Sequence, residues 1–202
     1  MKGASSRRGT VLRRIAGVCG TTSQLVAITT LLVAISGSPW FSWTESHISV
    51  LGVEGSAATL FNLGLVLTGV LSLIFAIGLR QSLLSSRLGQ LGMVSLILGS
   101  IAISAMGIFP RTIDLPHDSA SIAFFVFIIL AFLLIGVAAI TASQLKWGLL
   151  SLTAGVLIIA FWLVPWPWSG GAIPQLLFCL PWSLWTIVFG VGLLVRTRPV
   201  DV

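Results

Sequence analysis

Six runs of apolar residues, each close to twenty long, are separated by short polar stretches. They extend from Ile15 to Ile35, Ala57 to Leu79, Leu88 to Phe109, Ser119 to Ile140, Trp147 to Val164 and Leu176 to Val195. A helix rises about 1.5 Å per residue, so roughly 20 apolar residues cross about 30 Å of hydrocarbon. Lipid offers backbone groups no hydrogen bonds, and the alternating pattern of barrel strands is absent, so each run is predicted to be a helix. The predicted fold is all-α: a polytopic membrane protein whose residues 1–202 form a single bundle of six transmembrane helices. No soluble domain fits, because the longest connection, Ser36 to Ser56, has 21 residues.

Composition agrees with this picture. The chain is 56% hydrophobic and 8% charged, with a mean hydropathy of +1.09, which excludes an ordinary soluble domain. A net charge of +6 raises nucleic acid as a partner, but the placement of the charges points instead to membrane orientation. Lys2, Arg7, Arg8, Arg13, Arg14, Arg80, Arg87, Lys146, Arg196 and Arg198 all fall on one side of the predicted bundle, and only Arg111 falls on the other. The positive-inside rule then places both termini in the cytoplasm of a multi-pass cell-membrane protein, with no nucleic-acid role. An alternative for the first run is a cleaved signal peptide, in which arginines precede "LVAITTLLVAI" and the small residues "SGS". Cys19 and Cys179 are predicted near opposite ends of the bundle, too far apart for a disulfide.

Small residues at Gly92, Ser95, Gly99 and Ala102 recur every three or four positions along the third run. Such a stripe predicts close helix packing. Pro181 lies inside the sixth run, where it frees the carbonyl of Leu177 and predicts a kink. Trp40, Trp43, Trp147, Trp162, Trp166, Trp168 and Trp182 fall near predicted membrane boundaries, as an interfacial belt would.

The candidate chemistry gathers on the extracytoplasmic face. The segment "WFSWTESHISVLGVEG" supplies Glu45, Ser46, His47, Ser49 and Glu54, and "FPRTIDLPHDSAS" supplies Arg111, Asp114, His117, Asp118 and Ser121. Asp114 suits the cap of the fourth helix, with Pro116 in the first turn, a start that puts His117 and Ser121 on one helix face. Asn62, just inside the second helix, needs a hydrogen-bond partner, which a neighbouring helix or the "ISVLG" segment can provide. Arg111 is expected to pair with Glu45, Glu54 or Asp114 in a clamp between loops. His47, His117 and Asp118 (or Asp114) form an alternative zinc set, although they come from separate loops without diagnostic spacing. Ser46 and His47 are adjacent and lack a nucleophile elbow, which argues against a catalytic triad. No charged residue stands at mid-membrane depth, so the usual marks of a proton or ion path are missing.

The order of "ISVLG" (Ile48 to Gly52), "LFNLGL" (Leu60 to Leu65), "GIFP" (Gly107 to Pro110) and "PHDSASIAFF" (Pro116 to Phe125) resembles DUF998, a prokaryotic, largely archaeal family of small membrane proteins of unknown function. It is distantly similar to the Frag1/DRAM/Sfk1 family. The resemblance covers roughly Trp40 to Leu133 and implies six helices with the motifs clustered at the outer face. It implies no activity. The family pattern places an acid within "ISxLG" where this chain has Val50, which argues against a mechanism needing a carboxylate there.

These readings lead to a non-enzymatic membrane protein whose outer loops bind lipid head groups or another membrane protein, with no cofactor. The residues expected to do so are Glu45, His47, Ser49, Asn62, Arg111, Asp114, His117 and Asp118. The alternatives are a zinc-dependent hydrolase acting on lipid at the outer leaflet, and a small-solute transporter lined by Asn62, Gln24 and scattered hydroxyls.

Overall fold

The computed structural model describes residues 2–80 and 86–195. Among them are six long helices, α1 (Lys2–Ser36), α2 (Ala58–Arg80), α3 (Arg87–Ile108), α4 (Asp114–Thr141), α5 (Leu145–Leu163) and α6 (Ala172–Val195). Each is long and apolar enough to cross a membrane. Consecutive helices pack on one another, and α6 closes the ring against α1. Lys2, Arg7, Arg8, Arg13 and Arg14 lie in the early turns of α1, whereas Arg196 and Arg198 lie outside the described residues.

Every predicted run is a helix, but α1, α4 and α6 begin earlier than their apolar runs do. Hydropathy marks the stretch immersed in lipid, whereas backbone hydrogen bonding carries a helix on into polar turns beyond it. The α4 helix starts at Asp114 with Ile113 as its N-cap, so Asp114 caps nothing with its side chain. It occupies the first turn instead, where a carboxylate still suits the positive end of the helix.

Small residues set the helix spacing. The α3 stripe is buried; a methyl added at Gly92 would meet Ile135 of α4, and one at Gly99 would meet Ile128. On the ring's closing side, Gly17 of α1 lies against the Gly190 carbonyl of α6. Lipid is as apolar as the core, so such close approach, rather than exclusion of water, is what holds the helices together. The α1 helix is therefore a structural member of the ring. Leu25, Leu32, Leu63, Leu91 and Ile122 are exposed on the perimeter, as lipid-facing side chains should be.

An aromatic core runs down the inside. Trp185 is fully buried, stacks on Phe189 with ring centroids 4.2 Å apart and donates its indole N–H to Ser151 Oγ at 2.8 Å. Trp182 departs from its expected place in the interfacial belt. It is 3% exposed and packs edge-on against Phe124. Because α6 begins at Ala172, Trp182 sits roughly 15 Å along the helix, well inside the span. Trp40, Trp43 and Trp162 are exposed, and Trp166 stacks on Trp168. Pro181 is buried within an uninterrupted α6 and faces a groove beside α5.

Candidate functional site

The loops 37–57, 109–113 and 164–171 meet at one end of the bundle. The first descends into the ring as a short 3₁₀ turn, η1 (Ile48–Gly52). Its Leu51 is fully buried in a cluster with Ala34 of α1 and with Ala57 and Phe61 beside it. Burying a leucine of this kind stabilises by about 2 kcal/mol, enough to seat the turn as a plug.

Polar contacts from two helices and a loop fasten the plug. Asn62 Nδ2 of α2 donates to the Gly52 carbonyl at 2.8 Å, so of the two expected partners the "ISVLG" segment is the one that holds it. A methyl on Gly52 would run into the Asn62 amide, so glycine is what allows the approach. Gln175 Oε1, in the first turn of α6, accepts from the Ile48 N–H at 2.7 Å. The 164–171 loop and the first residue of α6 add two backbone rungs, Gly170 N–H to the Thr44 carbonyl at 2.8 Å and Ala172 N–H to the Ser46 carbonyl at 2.9 Å. Gly171 leaves room for the His47 ring, which a methyl there would strike. Burial pushes the His47 imidazole below its ordinary pKa, the Arg111 charge adds to that effect, and Asp118 opposes it.

Arg111 pairs differently from expectation. Its guanidinium lies 3.9 Å from Asp118 and 3.4 Å from Ser49 Oγ; Glu45, Glu54 and Asp114 are not its partners in any ion pair among the described residues. With α4 starting at Asp114, Asp118 stands one turn up the helix, within reach of a guanidinium on the preceding tight turn. Both members are substantially solvent-exposed, so the pair contributes little to stability and leaves the cation accessible.

His117 is 3% exposed, and its Nδ1 lies 2.8 Å from the carbonyl of Phe109, the residue that ends α3. A carbonyl only accepts, so Nδ1 carries the proton, and in the neutral ring Nε2 keeps its lone pair. The ring thus satisfies one of the open carbonyls at the end of α3 and still has an acceptor to offer. One turn on, Ser121 Oγ contacts Met106 Sδ at 3.1 Å.

Beneath the plug lies a cavity of about 90 Å³. Ile48 and Ser49 roof it, Phe61, Leu65 and Phe124 are among its apolar walls, and His117, Ser121, Gln175 and Cys179 add polar atoms. This volume accommodates a handful of water-sized groups. Ser49 and His117 therefore line the vestibule, Arg111 stands beside Ser49, and Asn62 and His47 hold its roof. Glu45, Glu54, Asp114 and Asp118 are exposed and line none of it. The alternative zinc ligands do not assemble: no three His, Cys, Asp or Glu side chains form a metal-binding group among the described residues. The imidazole nitrogen of His117 on the Phe109 side is already engaged, and His47 is turned toward Gly171. Sequence reasoning missed Gln175 and the Gly170–Gly171 pair. A lone amide in the first turn of an otherwise apolar helix, next to two glycines, was the available signal.

Six apolar helices closed into a ring, with a re-entrant plug roofing a small vestibule, define a multi-pass membrane protein. The pattern of the protein family of unknown function DUF998 matches residues 22–192, most of the chain. The protein belongs to that family. No curated protein and no solved structure matches it.

Proposed function

We propose that the vestibule end of the bundle faces away from the cytoplasm and binds an amphiphile, with its anionic head group at Arg111 and one chain end beneath the Ile48–Gly52 plug. The orientation is supported by charge: among the described residues, Arg111 is the one basic residue at the plugged end, as the positive-inside rule favours. The observation that carries the binding is the juxtaposition of an accessible, loosely paired guanidinium with an apolar-walled cavity whose rim holds Ser49, His117 and Gln175. A chain end gains little by moving from lipid into an apolar pocket, because both surroundings are hydrocarbon. Selectivity therefore resides in the head-group contacts, and the cation favours an anionic lipid over a zwitterionic one. On this reading the protein recognises lipid and does no chemistry on it.

Native mass spectrometry of the purified protein with equal amounts of a phosphatidylglycerol and a phosphatidylcholine tests this. The wild type should retain the anionic lipid in preference. Arg111→Gln should reduce that preference by about tenfold or more, since a hydrogen bond to a charged group is worth about 1.5–3 kcal/mol. Equal retention of the two lipids by the wild type would refute the assignment.

A further inference from the structure

The vestibule is walled largely by hydrocarbon, yet two of the side chains that line it carry nitrogens the protein leaves unused. The first is Nε2 of His117. The residue is 3% exposed and lines the cavity; because Nδ1 donates to the Phe109 carbonyl at 2.8 Å, Nε2 of the neutral ring can only accept. The second is the amide nitrogen of Gln175, which lines the same cavity. The amide oxygen takes the Ile48 N–H at 2.7 Å, which fixes the orientation of the amide and leaves Nε2 as a donor only.

Neither nitrogen has a hydrogen-bond partner among the described residues. Nor is either sealed off by packing: the buried side-chain atoms that lack a partner include neither of them. The nearby hydroxyls are committed elsewhere. Ser121 Oγ turns to Met106 Sδ at 3.1 Å, and Ser49 Oγ accepts from Arg111 at 3.4 Å.

These two nitrogens restrict what the vestibule accepts. A hydrocarbon occupant would leave both of them buried and unpaired, and would displace any water serving them without replacing its bonds. A carbonyl only accepts, so it would leave His117 unserved. An ammonium only donates, and it would bring a charge into a lining that holds no carboxylate,. A hydroxyl does both, donating its proton to one nitrogen and accepting from the other.

We infer that the amphiphile bound at the vestibule carries a hydroxyl on the end beneath the plug, where it donates to His117 Nε2 and accepts from Gln175 Nε2. The inference rests on the reading of the vestibule as an anionic-amphiphile site, and it names the chemistry at the end remote from the charge. Ser49 joins the two ends. It roofs the cavity and receives the Arg111 guanidinium, so an anion held there stands at the cavity's rim. A site that bonds a hydroxyl discriminates against the analogue lacking it, because the site's own polar groups are then stranded.

Isothermal titration of the full-length protein in detergent tests this with hexanoate and octanoate, each compared with its ω-hydroxy derivative. The wild type should bind the better-fitting hydroxy acid about tenfold more tightly than its parent. His117→Phe should abolish that preference, which also controls for the different partition of the acids into detergent. Gln175→Glu keeps an oxygen for Ile48 while removing the amide donor, and should reduce the preference as well. Arg111→Gln should weaken both members of a pair alike and leave their ratio unchanged. Equal binding of parent and hydroxy acid in both pairs, with Arg111 still required, overturns the hydroxyl and leaves the anion site standing. A preference that survives in both His117→Phe and Gln175→Glu overturns the assignment of the two nitrogens. Binding indifferent to Arg111→Gln overturns the anion site instead, and no binding of any of the acids overturns both.

Discussion

The plug should loosen when Asn62 is replaced by leucine, by an amount that the geometry sets. The substitution removes the Nδ2 donor 2.8 Å from the Gly52 carbonyl, and Gly52 is buried, so that carbonyl finds no ready replacement. The lost bond is worth about 1 kcal/mol and stranding a buried acceptor costs about 1–3 kcal/mol; the two overlap, and about 2 kcal/mol is the expected cost to plug closure. At 1.4 kcal/mol per tenfold, plug opening becomes about 30-fold more frequent. Hydrogen–deuterium exchange read by mass spectrometry on a peptide spanning Ile48–Val53 reports that opening directly, with a mid-α3 peptide as control. Gly52→Ala should give a similar acceleration, because its methyl displaces the same amide, and the two changes together should not multiply. Exchange in the plug within twofold of wild type would refute the reasoning. An equal acceleration in α3 would also refute it, because it would mean that the whole bundle had been destabilised.

Two further outcomes follow from the same end of the molecule. Gly170→Ala should detach the 164–171 loop, since the new methyl meets the backbone of Glu45 and Ser46, which cannot move aside as a side chain can; strain of about 1–3 kcal/mol is expected, visible as faster exchange at residues 44–48 and as new protease cleavage near Trp168. Plug closure should also weaken in acid. The folded His47 binds its proton less readily than a free imidazole, so the folded state holds fewer protons than the open one, and the stabilisation is full above about pH 6.5 and falls as pH drops from there through the lower folded value. Exchange at residues 44–48, normalised for intrinsic chemistry, should rise between about pH 7 and pH 5 in the wild type and stay flat in His47→Gln.

Six helices, their approximate limits and the polar character of one end were legible in the sequence because they depend on properties of contiguous residues. A run of twenty apolar side chains has one stable form in lipid, whatever its neighbours do. Asn62 was legible for a related reason: an amide one turn inside a span must find a partner, although only the fold chose "ISVLG" over a neighbouring helix. The α3 small-residue stripe likewise announced a packing face, although not that α4 would fill it. Gln175 was not legible as a plug ligand, since the bond to Ile48 joins residues 127 positions apart and exists only because α6 closes the ring. Packing between distant segments also decided that Trp182 is core rather than belt and that Arg111 reaches Ser49. Local chemistry determines which elements form and what each must satisfy. Which distant group satisfies it is a property of packing, because a hydrogen bond requires contact within about 3 Å, and only the assembled bundle sets such distances between segments far apart in the chain.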